Sequence, residues 1–489
     1  MNLHRRHVES TFGRAPLLQA LVLTCSAGSI AAQQCSIEML SVSPSGATAN
    51  AHCAKPSLSA DGRWVSFGSN ASNLVPGDVN QAADVFLTDR STGLTILVSR
   101  STLGQQANGG SGISGISPDG RYVAFRSAAT NLDPADTDPK PDIYRFDRLT
   151  GETVLVSYKI YPPTYPLGTP DRPSMSEDGR YVAFSSWEDL ITADTNGVLD
   201  AYVRDMVTGT MELISVGNLG EGGNDVSDTP TISWDGRYVA FSSRTNNWFG
   251  GNPMKNPHVY VRDRVLGTTT LVSYAPSGTY GLIGGGFDAS ISGDGTKVAF
   301  MYLGPDLMPS LFPNGTWRGA QVYVRDLVTG NLSYVGYSIG GTLSNFECRF
   351  PQLSYDGRFV AWESLASNLT LTEGHGAQDI FHRDLSTGVT TLVSTGMNGA
   401  KPTGYSVQPN ISADGRTIAF ASQADNLVPG DTGLIVDIFV RECGVASPTI
   451  YCSAKTGASG CTPQVGFSGS PNASTGGGFL ICGDGLVGG

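Results

Sequence analysis

The chain has 489 residues, a formal charge of −12 and 40% hydrophobic residues, enough for a sizeable core. Charged residues make up only 15%, against ~25% in ordinary soluble domains, and the acidic balance excludes a nucleic-acid binder, which needs a basic face. No apolar run reaches the ~18 residues that a membrane-spanning helix requires.

The chain opens with Arg5, Arg6 and Arg14, then an apolar run from Ala15 to Thr24, then small residues from Ser26 to Ala32. That order is the one of a secretory signal peptide, so residues 1–32 are expected to be cleaved after Ala31 or Ala32. A lipoprotein anchor at Cys25 fits less well, because Thr24 stands where Gly or Ala is wanted. The segment carries a net +2, so the mature chain is near −14. A secreted, periplasmic or cell-surface location follows, where its seven remaining cysteines can form disulfides.

From residue 33 to 443 one unit recurs seven times. Its marker is Ser-x-Asp-Gly before a β-rich run, as in Ser117-Pro-Asp119-Gly120-Arg-Tyr-Val-Ala-Phe125. The marker aspartates are Asp61, Asp119, Asp178, Asp235, Asp294, Asp356 and Asp414, spaced 58, 59, 57, 59, 62 and 58 residues apart. Ser-x-Asp-Gly reads as a tight turn, since Asp bonds its own backbone and Gly takes positive φ. A short strand a precedes it, and an alternating strand b such as Arg180-Tyr-Val-Ala-Phe-Ser-Ser186 follows. A long polar loop leads to strand c, such as Asp200–Asp205, and a Thr-Gly turn leads to strand d, such as Thr390–Ser394.

Units of about 58 residues with such short strands cannot each bury a core alone. Stacked radially they can, so the expected fold is all-β: a seven-bladed β-propeller of four-stranded blades. The seventh unit stops after its strand c at Cys443 and has no strand d, whereas a stray strand d stands at Ile37–Val42. The N-terminal strand is therefore expected to complete the last blade and close the ring. Cys35 and Cys443 flank that junction, which predicts a disulfide. The alternative is a pair of unrelated buried thiols.

The runs Ser-x-Asp-Gly-Arg-Tyr-Val-Ala-Phe and Asp-x-Tyr-Val-Arg-Asp resemble the WD40-like repeats of TolB-type bacterial propellers over about residues 36–443. The resemblance implies the fold and says little of function, because propellers host many activities. TolB carries an N-terminal α/β domain, and prolyl-oligopeptidase-like enzymes carry an α/β-hydrolase domain. Here the repeats start almost at the expected mature terminus, and 46 residues follow Cys443. Neither the Tol–Pal role nor peptidase activity is therefore carried over.

Strand alternation puts the b–c and d–a loops on one face, and long loops are where binding usually resides. Three b–c loops carry spaced carboxylates: Asp78, Asn80 and Asp84; Asp136, Asp138 and Asp142; and Asp194, Asn196 and Asp200. Alternating Asp and Asn oxygens suit a hard cation such as calcium. The same residues also suit Asx-turns that start strand c. Aromatic residues that break the repeat are ligand-binding candidates: Tyr161, Tyr165, Trp187, Trp248, Phe249 and Trp317. The repeated Val-Arg-Asp arginines and aspartates read as blade supports instead, since a residue present in every blade cannot mark one site.

Catalytic signals are poor. His52, His258, His375 and His382 fall in different blades without ligand spacing, and no Gly-x-Ser-x-Gly elbow is present. Residues 444–489 form a Gly-rich tail in which Cys452 and Cys461 are placed to pair. Cys53 and Cys348 sit in equivalent positions of non-adjacent blades, so a bridge between them is not expected. The sequence thus points to a secreted, monomeric, non-enzymatic binding or scaffold propeller. Its ligand would be a protein, peptide or glycan on the long-loop face, with calcium as a candidate cofactor. The rival readings are a polysaccharide lyase or hydrolase at the channel mouth and a structural envelope protein.

Overall fold

A computed structural model describes residues 35–158, 171–248, 255–278, 284–312, 319–338, 340–371, 376–431 and 435–443. The expected signal peptide, the tail and its cysteines Cys452 and Cys461 lie outside the described residues. Seven four-stranded antiparallel sheets form the blades of a β-propeller. In blade 1, strands a to d are Cys53–Leu58, Trp64–Ser69, Asp84–Asp89 and Leu94–Leu97. In blade 7, strands a to c are Ser406–Ile411, Thr417–Ser422 and Asp437–Cys443, and strand d is Cys35–Met39 from the other end of the chain.

That closure is as the sequence predicted, with one shift. The N-terminal strand begins at Cys35 rather than Ile37, because its register sets Cys35 opposite Cys443 and Met39 opposite Phe439. Ser41 then leaves the strand, and its hydroxyl donates to buried Asp437 at 2.6 Å. Cys35 and Cys443 are joined by a disulfide.

A second closure runs round the axis. The x residue of each Ser-x-Asp-Gly turn is tied by a backbone hydrogen bond to the next turn. Ala60 N donates to Pro118 O, Glu177 N to Trp234 O, Trp234 N to Gly293 O, Tyr355 N to Ala413 O and Ala413 N to Ala60 O, at 2.8–3.0 Å. Pro118 has no N–H, so Asp119 N donates to Glu177 O instead, and Asp294 N donates to Tyr355 O. Seven junctions carry seven bonds, and the inner edge of the sheets is left with fewer unpaired groups.

The turn chemistry explains the repeat. In blade 3, Ser176 Oγ donates to Asp178 at 2.9 Å, Arg180 N donates to the same oxygen at 3.0 Å, and Tyr181 N donates to Ser176 Oγ at 2.9 Å. Gly179 holds φ +65°, and a Cβ there would lie 2.3 Å from the Tyr122 ring of blade 2. Glycine is thus required both for its backbone angle and for contact between blades. The Tyr122 ring lies 4.7 Å from the Arg121 guanidinium and 4.2 Å from that of Arg145. Arg121 also pairs with Asp147 of strand c at 2.6 Å, and Arg145 donates to Gly179 O. In this blade the repeated arginines and aspartate act as supports, the role the repeat implies.

Between blades the core is layered. Strands b and c of each blade contribute one stacked aromatic pair, from Phe67–Phe86 to Phe420–Phe439, with centroids 5.9–6.1 Å apart and planes 24–29° apart. Each fully buried ring contributes roughly 1.5–3 kcal/mol, which is how 58-residue units without a core of their own become stable. Among the described residues, no helix is long and apolar enough to cross a membrane.

Candidate functional site

The sequence-predicted aromatics divide sharply. Trp187 is 38% exposed. Trp248 is only 3% exposed, packed edge-on against Phe241 and Tyr260 at 6.2 and 5.3 Å. Trp248 is buried in the core of blade 4, a packing residue rather than an exposed ligand contact. Tyr161, Tyr165, Phe249 and Trp317 lie outside the described residues.

The three carboxylate loops also differ. In every one the last carboxylate, Asp84, Asp142 or Asp200, is buried and accepts at 2.5 Å from a serine two residues past strand d, Ser99, Ser157 or Ser215. Burial pushes the Asp200 carboxyl up to about 7. In blade 1, the Gln106 amide donates to both Asp78 (2.8 Å) and Asp84 (3.0 Å), and the Asn80 amide donates to Ala107 O. In blade 3, the Asn196 amide donates to Asp200 at 2.7 Å, and Asp194 accepts from the buried Tyr202 hydroxyl. Side-chain amides thus fill the centres of those two loops. Blade 2 has Asp138 where the others have Asn. There the carboxylate oxygens of Asp136, Asp138 and Asp142 lie within 4.8 Å of one another, close enough to hold a metal ion. Asx-turns form in all three loops, as when Asp138 N donates to Asp136 and Lys140 N to Asp138.

Among the described residues the histidines do not converge. His52 Nδ1 accepts from Val436 N at 3.0 Å. His258 is buried beside Ser273, 3.2 Å away, and burial pushes it down to about 4. His375 lies outside the described residues. Cys53 and Cys348 are separate buried thiols, pushed up by burial to about 12 and about 11.

A cavity of about 500 Å³ runs along the propeller axis. Its wall is built by the seven strands a. Each carries a β-bulge, as at Ala54–Ser57 and Val407–Asn410. At the bulge stands a non-glycine residue with positive φ, between 45° and 58°, in six blades: Lys55, Ile113, Thr229, Asp288, Phe350 and Gln408. A bulge re-aims its side chain, and these residues line the cavity. The scaffold repeats, but this ring does not: its members are basic, aliphatic, hydroxylic, acidic, aromatic and amide.

Two further departures from the repeat line the cavity. Glu363, only 3% exposed, stands on strand b of blade 6 and accepts from Gln408 N at 3.0 Å. Burial raises its pKa, and the nearby Asp288 charge adds to the rise. At the a–b end stand Trp234 and Tyr355, with centroids 4.7 Å apart and planes tilted 55°. Sequence reasoning missed this axial set by looking to long loops. The signal was present in the x position of Ser-x-Asp-Gly, which reads Ala60, Pro118, Glu177, Trp234, Gly293, Tyr355 and Ala413.

No protein-family model and no curated protein matches the chain. Solved structures do. An oligogalacturonate lyase from Vibrio parahaemolyticus superposes with a TM-score of 0.50 at 12% identity, covering 84% of this chain and 98% of that one. TolB from Acinetobacter baumannii gives 0.36 at 14% identity, covering 74% and 76%. An acylaminoacyl peptidase from Pyrococcus horikoshii gives 0.46 at 12% identity, covering 76% of this chain and 49% of that one. The likeness is one of fold: the chain is a seven-bladed β-propeller whose structural neighbours include TolB and propellers of other functions.

Proposed function

We propose that this chain is an extracytoplasmic, monomeric propeller that binds a protein, peptide or glycan and has no catalytic centre of its own. The observation that carries the reading is the axial cavity of about 500 Å³, whose wall departs from the sevenfold repeat where it faces the axis. A repeated scaffold with a non-repeated, largely preformed cavity is what recognition of one ligand requires. A mouth formed by Trp234 and Tyr355 supports binding, since aromatic faces supply contact area at little entropic cost. The Cys35–Cys443 disulfide supports an oxidising compartment. Asp136, Asp138 and Asp142 would hold calcium through hard oxygen donors and brace the blade-2 loop.

A second reading draws on Asp288 and Glu363, two carboxylates on the cavity wall, one of them with a raised pKa. Such a group fits a general acid in a lyase or hydrolase working within the channel.

The experiment is a glycan and peptide array probed with the mature chain, followed by titration of the hits. Binding of an intact ligand, weakened by Phe350→Ala, is the expected result. Turnover of a bound polysaccharide that stops in Glu363→Gln would overturn the non-enzymatic reading in favour of the second.

A further inference from the structure

The a–b end of the axial cavity carries an aromatic pair. Trp234 belongs to blade 4 and Tyr355 to blade 6, yet their rings meet across blade 5. They can do so because blade 5 has Gly293 between them. A Cβ on Gly293 would lie 2.4 Å from Tyr355 and 2.8 Å from Trp234. Both aromatic residues are pinned by the ring of backbone hydrogen bonds, Trp234 N to Gly293 O and Tyr355 N to Ala413 O. Both line the cavity, and Tyr355 remains 44% exposed. The pair is thus held rigidly at a mouth, with part of its surface free.

Carboxylates predominate among the charges round this mouth. The turn aspartates, from Asp61 to Asp414, encircle it, and six of the seven are exposed. Glu177 is exposed in the blade-3 position equivalent to Trp234. Most arginines that follow the turns are engaged elsewhere: Arg63, Arg121, Arg180, Arg237 and Arg358 each pair with a strand-c aspartate, one strand further from the axis. Arg416, 3.8 Å from Asp414, and Lys297, bonded to Asp356 O, offset only part of the charge of the eight carboxylates. The aromatic pair and cavity make the site, and the carboxylates set the charge of what it takes.

We infer that the a–b mouth binds a basic peptide segment, with a lysine or arginine side chain seated against the Trp234–Tyr355 pair and directed into the cavity. The inference rests on the binding reading above and deepens it. A cation over an aromatic face is attracted by the ring quadrupole. The surrounding carboxylates raise its local concentration and steer its approach.

The test is titration of the mature chain with tetralysine, tetraglutamine and tetraglutamate peptides at low and moderate salt. Tetralysine should bind and weaken with salt, and the other two should not bind. Trp234→Ala and Tyr355→Ala should each weaken tetralysine by about tenfold, and Trp234→Phe should retain most of the affinity. Circular dichroism and melting of each variant separate lost binding from lost folding. Tetralysine binding that is indifferent to both alanine variants, or matched by tetraglutamate, would overturn the inference. Array ligands that depend on Phe350 while tetralysine fails to bind would sink this inference and leave the binding reading standing. No array ligand and no tetralysine binding would sink both.

Discussion

Removing the Cys35–Cys443 bridge with Cys35→Ser and Cys443→Ser together tests how the ring is latched. The two residues are 408 apart in sequence. The chain-entropy relation gives about 6 kcal/mol for a loop of that length at 25 °C, and removed native disulfides typically cost ~2–5 kcal/mol. The strand itself remains paired in the variant, from Met39 opposite Phe439 outward, and Ser41 still bonds Asp437. The axial ring of seven backbone bonds also remains. The fold should therefore survive with lower stability, by about 3–6 kcal/mol. Urea unfolding followed by tryptophan fluorescence and circular dichroism is the assay. With an m-value of at least ~3 kcal/mol/M for a chain of this size, the midpoint should fall by about 1–2 M. Coincident transitions by the two probes license the conversion to free energy. An unchanged midpoint would refute the reasoning, because strand pairing and the axial ring alone would then hold the circle closed.

Trp248→Ala should cost about 3–5 kcal/mol by the same assay, as a large buried ring is deleted, while Trp187→Ala should stay within about 0.5 kcal/mol. A mild Trp248 variant would contradict its assignment to packing. Millimolar calcium should raise the melting temperature over an EDTA control, by an amount equivalent to about 2.7 kcal/mol at a hundred times the dissociation constant. The rise should vanish in Asp138→Asn, which restores the residue type found in blades 1 and 3, and no rise in the wild type would return the loop to turn chemistry. Burial raises Asp437 to about 6, above its unfolded value near 3.9. Its contribution to stability is therefore full below about pH 3.9 and is lost as pH rises through 6. Asp89, Asp205 and Asp384 have the opposite sign. Arg63, Arg180 and Arg358 hold them below the usual range, so their contribution is present above about pH 3.9 and is lost on further acidification. Asp437→Asn, which can still accept from Ser41, should flatten the stability profile between pH 4 and 6.5, and an unchanged slope would contradict the assignment.

The candidate site was only partly legible. Asp136, Asp138 and Asp142 were read as a group and do converge. Their counterparts in blades 1 and 3 looked equivalent. The Gln106 amide that fills the first comes from a d–a loop 22 residues beyond Asp84, a contact with no local signature. Trp248 looked like an exposed loop aromatic because Asn246 and Asn247 precede it, and only the packing of Phe241 and Tyr260 against it revealed otherwise. Trp234 and Tyr355 lay within the most regular motif of the chain and were passed over for that reason.

The sequence by itself determined the local units and their number. Ser-x-Asp-Gly forces a turn, alternation forces strands, and seven copies with one strand displaced to the N-terminus force a closed ring. These are short-range consequences of backbone angle and periodicity. The axis was decided only by the tertiary structure. Residues one or more repeats apart come together there, so Trp234 meets Tyr355 over Gly293, and six bulged residues of unlike chemistry share one cavity. Blade packing brings them into contact, and contact across blades depends on the curvature of the whole ring rather than on any single unit.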